Sequence, residues 1–216
     1  MKLNTIIQGD CLEVMRGMDN NSVDLVLTDP PYGTDFDYYS KGRGVCLADQ
    51  QDYGKQDWNK KLPDREAIDR ILTVGKNAVI FGGQFFTLPP SPCWIVWDKD
   101  NTGNWGDCEL AWTSFKTSIR KILWRWNGML QENMSNKDKK YHPTQKPIGV
   151  MKWIIEKYTK PNDLILDPFC GSGTTCVAAE LMGRNYIGIE ISEEYCQIAR
   201  KRVQDAKDSM GLFEMK

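Results

Sequence analysis

The chain has 216 residues, 41% of them hydrophobic and 26% charged, the balance of one soluble globular domain and not of a disordered segment. Its formal net charge is −1, so no global basic field points to nucleic acid, and no apolar run reaches the ~20 residues that cross a bilayer. Seven cysteines without a CxxC pair, and a single histidine, argue against a disulfide framework, a zinc ribbon and an HExxH metalloprotease.

In chain order, residues 3–7 read as a first strand, and Asp10 and Glu13 then interrupt any signal-peptide core. A cytoplasmic protein with reduced thiols is therefore expected. Residues 23–28 form the next strand candidate and 65–76 the first helix, followed by strands at 78–81 and 93–97. Segments 110–115 and 119–126 are expected to form an antiparallel edge. A helix at 149–158, a strand at 164–167, a helix at 174–181 and a strand at 186–191 follow. The last helix, 192–206, opens Ser-Glu-Glu, a cap followed by acids in the first turn, and 209–216 reads as a frayed tail.

Short apolar runs alternating with amphipathic stretches predict an α/β domain spanning 1–216, with a largely parallel sheet covered by helices. Two stretches lack periodicity. Residues 33–59 exceed the ~12–15 residues usual for an idle loop, and 127–141 is polar and rich in Asn and Lys. Both are expected to be lids or binding loops, with simple disorder as the alternative. Between 110 and 146, eight basic residues (Lys116, Arg120, Lys121, Arg125, Lys137, Lys139, Lys140 and Lys146) face only Glu132 and Asp138, a local bias that suits a polyanion, although a charge run is more often a solvated surface.

Two motifs carry chemistry. Asp167-Pro168-Phe169-Cys170-Gly171-Ser172-Gly173-Thr174-Thr175 follows a strand and opens a helix. Glycines there admit close approach of a ligand, and the helix N-terminus offers unpaired N–H groups. Glu190, at the end of the next strand, is placed to bind ribose hydroxyls. Cys176 stands where a dinucleotide fingerprint needs its third glycine, and no GK[ST] follows, so neither a Rossmann dinucleotide site nor a P-loop is indicated. Asp167 would repel a pyrophosphate; a cofactor with a cationic or zwitterionic group suits it better. The second motif is Thr28-Asp29-Pro30-Pro31-Tyr32-Gly33. Two prolines remove N–H donors and leave carbonyls as acceptors, Asp29 adds a carboxylate, and Tyr32 adds a flat ring. That set matches an exocyclic amine on a planar base.

With His142-Pro143-Thr144-Gln145-Lys146-Pro147 ahead of the second glycine motif, the pair Asp29-Pro30-Pro31-Tyr32 and 167–175 resembles the S-adenosylmethionine-dependent DNA amino-methyltransferases of the N6-adenine/N4-cytosine family. The catalytic tetrapeptide precedes the cofactor motif, the order of that family's permuted β group. The resemblance covers about 3–35 and 142–204 strongly and the strands between them loosely. It implies a Rossmann-like class I methyltransferase fold with a mostly parallel seven-stranded sheet, S-adenosylmethionine as cofactor, no metal, and double-stranded DNA as partner. A homodimer is compatible with it.

Residue by residue, the resemblance implies that Asp10 contacts the cofactor's adenine and Glu190 its ribose. Phe169, Gly171, Gly173 and Thr174 line the cofactor, Asp167 lies near its methionine amino group, and Thr144 and Lys146 hold its carboxylate. Asp29, the Pro30 carbonyl and Tyr32 hold the target base, with Pro31 stiffening the turn. Asp at the first tetrapeptide position resembles the N6-adenine enzymes more than the N4-cytosine ones. DNA contact is expected from the 33–59 loop and from Lys116, Arg120, Lys121, Arg125, Lys139 and Lys140, with 127–141 as a short target-recognition segment. RNA or protein-amide methylation and an inactive DNA-binding relative are the alternatives from other classes. Pro92-Cys93 resembles the nucleophile of C5-cytosine methyltransferases, but Cys93 begins an apolar run and reads as core. The tryptophans, at strand spacing, read mostly as core.

Overall fold

The structure, a computed structural model, describes residues 1–33, 62–101, 106–127, 130–135, 137–141 and 144–214. Most of the 33–59 loop, together with His142 and Pro143, lies outside the described residues. Strand β1 (Thr5–Gln8) leads into a six-residue helix, α1 (Cys11–Arg16). This helix was not expected from the sequence, because six residues are too few to display a helical period. It forms on its cap: Asp10 Oδ1 accepts from the backbone N–H of Leu12 (2.9 Å) and Glu13 (3.1 Å). Strand β2 (Val23–Thr28) is buried at Val23 and from Leu25 to Thr28, as an inner parallel strand covered on both faces must be.

Helix α2 (Arg65–Val74) buries Ala67, Ile68, Ile71 and Val74 along one stripe. It stops two residues earlier than expected, because Gly75 already pairs with Val23 as the first residue of β3 (Gly75–Phe81). Strands β4 (Trp94–Asp98), β5 (Cys108–Thr113) and β6 (Arg120–Leu123) follow. Two-residue strands β7 (Trp126–Asn127) and β8 (Leu130–Gln131) pair antiparallel where the expected strand 119–126 gives way to the expected loop 127–141. Helix α3 (Ile148–Tyr158), strand β9 (Leu164–Asp167), helix α4 (Thr174–Leu181) and strand β10 (Asn185–Glu190) lead to α5 (Glu193–Glu214). Helix α5 continues through most of the stretch expected to fray.

Among the described residues the main sheet has eight strands in the order β1-β10-β9-β2-β3-β5-β4-β6, mostly parallel and one strand wider than the seven implied by resemblance. The expected antiparallel edge of 110–115 with 119–126 does not form. Strand β5 is antiparallel, but β3 and β4 take both of its edges, so β6 can join only the open side of β4, where it runs parallel. Helices α3, α4 and α5 pack on one face through Ile154, Val177 and Val203, against Leu25, Leu27, Val79 and Phe81. Helices α1 and α2 cover the other through Met15, Ile68 and Ile71, against Val26, Ala78 and Ile80. This alternation along β2 and β3 is the period-two signature of a sheet packed on both sides. Among the described residues, no helix is long and apolar enough to cross a membrane.

From β2 the chain advances toward β3, and from β9 it advances the other way toward β10, so the order reverses between β9 and β2. Such a reversal opens a crevice at the carboxyl ends of the strands. Both sequence motifs follow these two strands, which pair at Leu25–Ile165 and Val26–Leu166.

Candidate active site

Thr28 and Asp167 join the two motif strands. The buried Thr28 hydroxyl donates to Asp167 Oδ1 at 2.8 Å across 139 residues of sequence, and the Phe169 N–H donates to the same oxygen at 3.2 Å. With 4% of its surface exposed, the Asp167 carboxyl is pushed up to about 6 by burial, against the pull of the Thr175 and Thr28 hydroxyls. A ligand ammonium placed beside it would restore its charge. Glu190 accepts from Gly171 N–H (2.9 Å) and Ser192 N–H (2.9 Å), one to each carboxylate oxygen, which fixes its orientation at the end of β10.

The two glycines of the cofactor loop differ. Gly171 has φ +50° and nothing within 4 Å of where a Cβ would stand, so it faces open space. Gly173 has φ +83°, and its Cβ would lie 2.7 Å from that of Ala199 on α5. Its part is close packing, and it does not line the cavity, unlike the other residues expected at the cofactor and the target base. That cavity, about 630 Å³, is continuous from Asp10, Phe169, Gly171 and Glu190 past Asp167 and Thr144 to Asp29, Pro30, Pro31 and Tyr32. Its size and the carboxylates at its two strand ends fit a nucleoside bearing an amino-acid group.

At the other end of the cavity, the Tyr32 hydroxyl donates to Asp29 Oδ1, and Lys146 Nζ lies 2.5 Å from Asp29 Oδ2. The same ammonium is 3.2 Å from Glu109 Oε2, while Lys99 holds Glu109 Oε1 at 2.6 Å. Burial raises the Asp29 carboxyl, and Glu109 adds to the rise, more than Lys146 and Tyr32 offset. Burial also keeps the Tyr32 phenol well above its ordinary value, so it remains a donor. For Lys146 burial works against the charge, but Asp29 and Glu109 outweigh it and hold the ammonium protonated. Lys146, expected at the cofactor carboxylate, is thus engaged by two protein carboxylates. The Tyr32 ring stacks on Phe85 with centroids 5.0 Å apart, and a Cβ at Gly82 would overlap it.

Four residues of this network escaped the sequence reading: Lys99, Glu109, Gln145 in its side-chain role, and Arg202. Gln145 Oε1 accepts from Tyr141 N–H (2.9 Å) and the Ser172 hydroxyl (3.3 Å), tying 137–141 to the cofactor loop. Arg202 donates to the Ser172 carbonyl at 2.6 Å and stands over the Tyr141 ring. An acid directly ahead of the apolar segment 110–115 was the signal available for Glu109. Cys93 is buried at the amino end of β4 and does not line the cavity, which agrees with its reading as core. Trp97 and Trp112 are core too, each donating its indole N–H to a carbonyl. Among the described residues, no cluster of three His, Cys, Asp or Glu side chains could hold a metal ion.

The N6/N4 DNA methylase family model matches residues 113–201, a range that holds the cofactor loop and leaves out the tetrapeptide. The type II methyltransferase M2.DpnII of Streptococcus pneumoniae is 49% identical over 249 residues, covering 92% of this chain and 89% of that protein. The chain belongs to the S-adenosylmethionine-dependent DNA amino-methyltransferases of the N6-adenine/N4-cytosine family. M.HinfI of Haemophilus influenzae is also similar, 29% identical over 99% of this chain and 72% of its own. Among solved structures, this methyltransferase is similar to M1.HpyAVI in complex with SAM (27% identity, TM-score 0.58, 92% of this chain and 98% of that one). The cytosine-N4-specific PvuII DNA methyltransferase shares the fold at 19% identity, with a TM-score of 0.60 over 94% of this chain and 89% of that one.

The six basic residues expected at DNA do not converge in this methyltransferase. Lys116 and Arg120 lie at the amino end of β6, which is the end of the sheet away from the cavity because β6 parallels β4. Lys121 pairs with Asp98 at 2.7 Å, and Arg125 pairs with Asp100. Lys139 stands over the Tyr141 ring, and its carbonyl accepts from Gln145 at the cavity wall. The half-buried Lys140 has its pKa lowered by burial and by Lys99. Arg125, Lys139 and Lys140 are therefore the members of the group found toward the cavity end.

Proposed function

We propose that this methyltransferase carries the methyl group of S-adenosylmethionine to the N6 amino group of adenine in double-stranded DNA, with residues 1–216 acting as one catalytic domain. The supporting observation is one continuous cavity with a cofactor loop at one end and a carboxylate, a proline carbonyl and a tyrosine ring at the other. When bound, the cofactor supplies an electrophilic methyl group on a positively charged sulfur. Asp10 and Glu190 suit its adenine and ribose, and Asp167 its amino group. Thr144 suits its carboxylate, while Lys146 is reassigned to Asp29.

The amine of adenine is a weak nucleophile because its lone pair is delocalised into the ring. Accepting its two N–H groups at Asp29 and the Pro30 carbonyl favours a pyramidal nitrogen and frees the lone pair, so the protein contributes positioning and electrostatics. A stacked base cannot reach the cavity, and turning it out of the duplex costs a few kcal/mol. Stacking on Tyr32 returns about 1–3 kcal/mol of that. Adenine is favoured over cytosine by Asp29 at the first tetrapeptide position. The 127–141 segment, with Gln131 bonded both ways to the Asp138 backbone, is the candidate for sequence recognition.

The test is incubation of unmethylated genomic DNA with the protein and S-adenosylmethionine, followed by mass spectrometry of the nucleosides. N6-methyladenine is expected, and Asp29→Ala should lower its formation by about 10²–10³ or more. N4-methylcytosine would overturn the choice of base alone, and no modified nucleoside would overturn the reading.

A further inference from the structure

Glu109 belongs to no motif. It is the second residue of β5, which runs antiparallel to both β3 and β4, and so stands at the cavity end although it lies near the start of its strand. Lys99 holds its Oε1 at 2.6 Å, while the buried Oε2 lies 3.2 Å from the Lys146 ammonium and accepts no hydrogen bond from the described residues. Lys146 also sits 2.5 Å from Asp29, with 5% of its side chain exposed. One buried ammonium thus lies between two carboxylates at unequal distances. Burying ions costs several kcal/mol each, and well-packed apolar side chains often stabilise a protein as well or better. Stability alone is a weak reason for the arrangement.

Under the function proposed above, Asp29 must accept an N–H of the target amine. Both of its oxygens already receive a donor, Tyr32 on Oδ1 and Lys146 on Oδ2. The entering amine competes with Lys146, and an ammonium displaced in so buried a place needs another anion within reach. Glu109 is that anion. The geometry points to Glu109 as a positioning residue for methyl transfer, one that takes up the Lys146 ammonium as the amine takes its place on Asp29, with Lys99 keeping Glu109 aimed. The inference rests on amino-methylation at Asp29.

The charged and titratable groups around Asp29 are Lys146, Tyr32, Glu109 and Asp167, and those around Glu109 are Lys99, Lys146, Asp29 and Tyr32. The Glu109 charge raises the Asp29 carboxyl, whereas Lys146 lowers it. Loss of the Glu109 charge therefore leaves Lys146 wholly to Asp29 and moves the acid limb of kcat to lower pH. Loss of Lys99 removes a cation from the group and moves that limb to higher pH.

The experiment measures kcat, the KM for duplex DNA and the pH profile for the wild type, Glu109→Gln, Glu109→Asp and Lys99→Met, with cofactor affinity by calorimetry alongside. Glu109→Gln should lower kcat about ten- to a hundredfold, as expected for a misplaced reacting group, with cofactor affinity retained. Its acid limb should move down in pH, that of Lys99→Met up, and Glu109→Asp should recover part of the turnover. Wild-type turnover and profile in Glu109→Gln would overturn the inference, as would lost turnover with no movement of the limb. If Glu109→Gln does not fold, Lys99→Met decides: an upward limb supports the inference and an unmoved limb overturns it. A wild type that methylates no amine in DNA would instead overturn the functional reading beneath it.

Discussion

Asp167 is a carboxylate with a threonine hydroxyl on one oxygen and almost no water around it. Burial lifts its pKa to about 6, from about 4 in an unfolded chain. Because the folded value is raised, its contribution to stability is present below the unfolded value and is lost as pH rises through about 6. At pH 8 the ligand-free protein therefore carries an unfavourable charge, and Asp167→Asn should raise the Tm there. The ligand's amino group has the opposite preference, for the ionised form. Cofactor affinity should accordingly fall as pH drops through about 6, and Asp167→Asn should weaken binding at pH 8 by about tenfold or more and flatten that dependence. Calorimetric titration between pH 5 and 8 checks both. A wild-type affinity independent of pH would remove Asp167 from the amino group.

At the scale of elements, the loop from β9 to α4 carries two glycines with different reasons to be glycine. An alanine at 173 needs a left-handed backbone, costing about 1–2 kcal/mol, and must also push Ala199 and helix α5 away, costing about 1–3 kcal/mol more. Gly173→Ala should therefore lower the Tm markedly. Gly171→Ala meets no protein atom, so its stability cost should be about 1–2 kcal/mol from the backbone alone, while its methyl intrudes where the cofactor is expected. Thermal denaturation and cofactor titration of both variants separate the cases, and equal loss of stability in the two would refute the distinction. The need for a glycine at each position was legible in the sequence. The separate reasons were not, because Ala199 is brought to Gly173 only by folding. Strands β2, β9 and β10 were legible because apolar runs ended at chemically distinctive residues. The place of β5 was not, since strand order depends on which edges remain open. Glu109 was hidden for a similar reason: Lys99, Lys146 and Asp29 come from other parts of the chain.

For the whole molecule, a net charge of −1 means that attraction to DNA depends on where the charges lie. Counting along 110–146 merges two ends of the sheet into one basic run. Lys116 precedes, and Arg120 begins, a strand whose carboxyl end points to the cavity, whereas Arg125 and Lys139 come after it. The ion pair of Arg125 with Asp100 is exposed to solvent and therefore weak, so a phosphate can replace the aspartate at little cost. Charge reversal at Arg125 and Lys139 should weaken duplex binding and lower the slope of log affinity against log salt by about 0.9 for each phosphate no longer neutralised. The same reversal at Lys116 and Arg120 should leave the slope close to that of the wild type. Fluorescence anisotropy with a labelled duplex across a salt series reads both pairs. If the Lys116 and Arg120 pair proved the costlier, DNA would have to extend along the edge strand β6 toward the far end of the sheet, and the cavity end would lose its claim to be the main DNA-binding face.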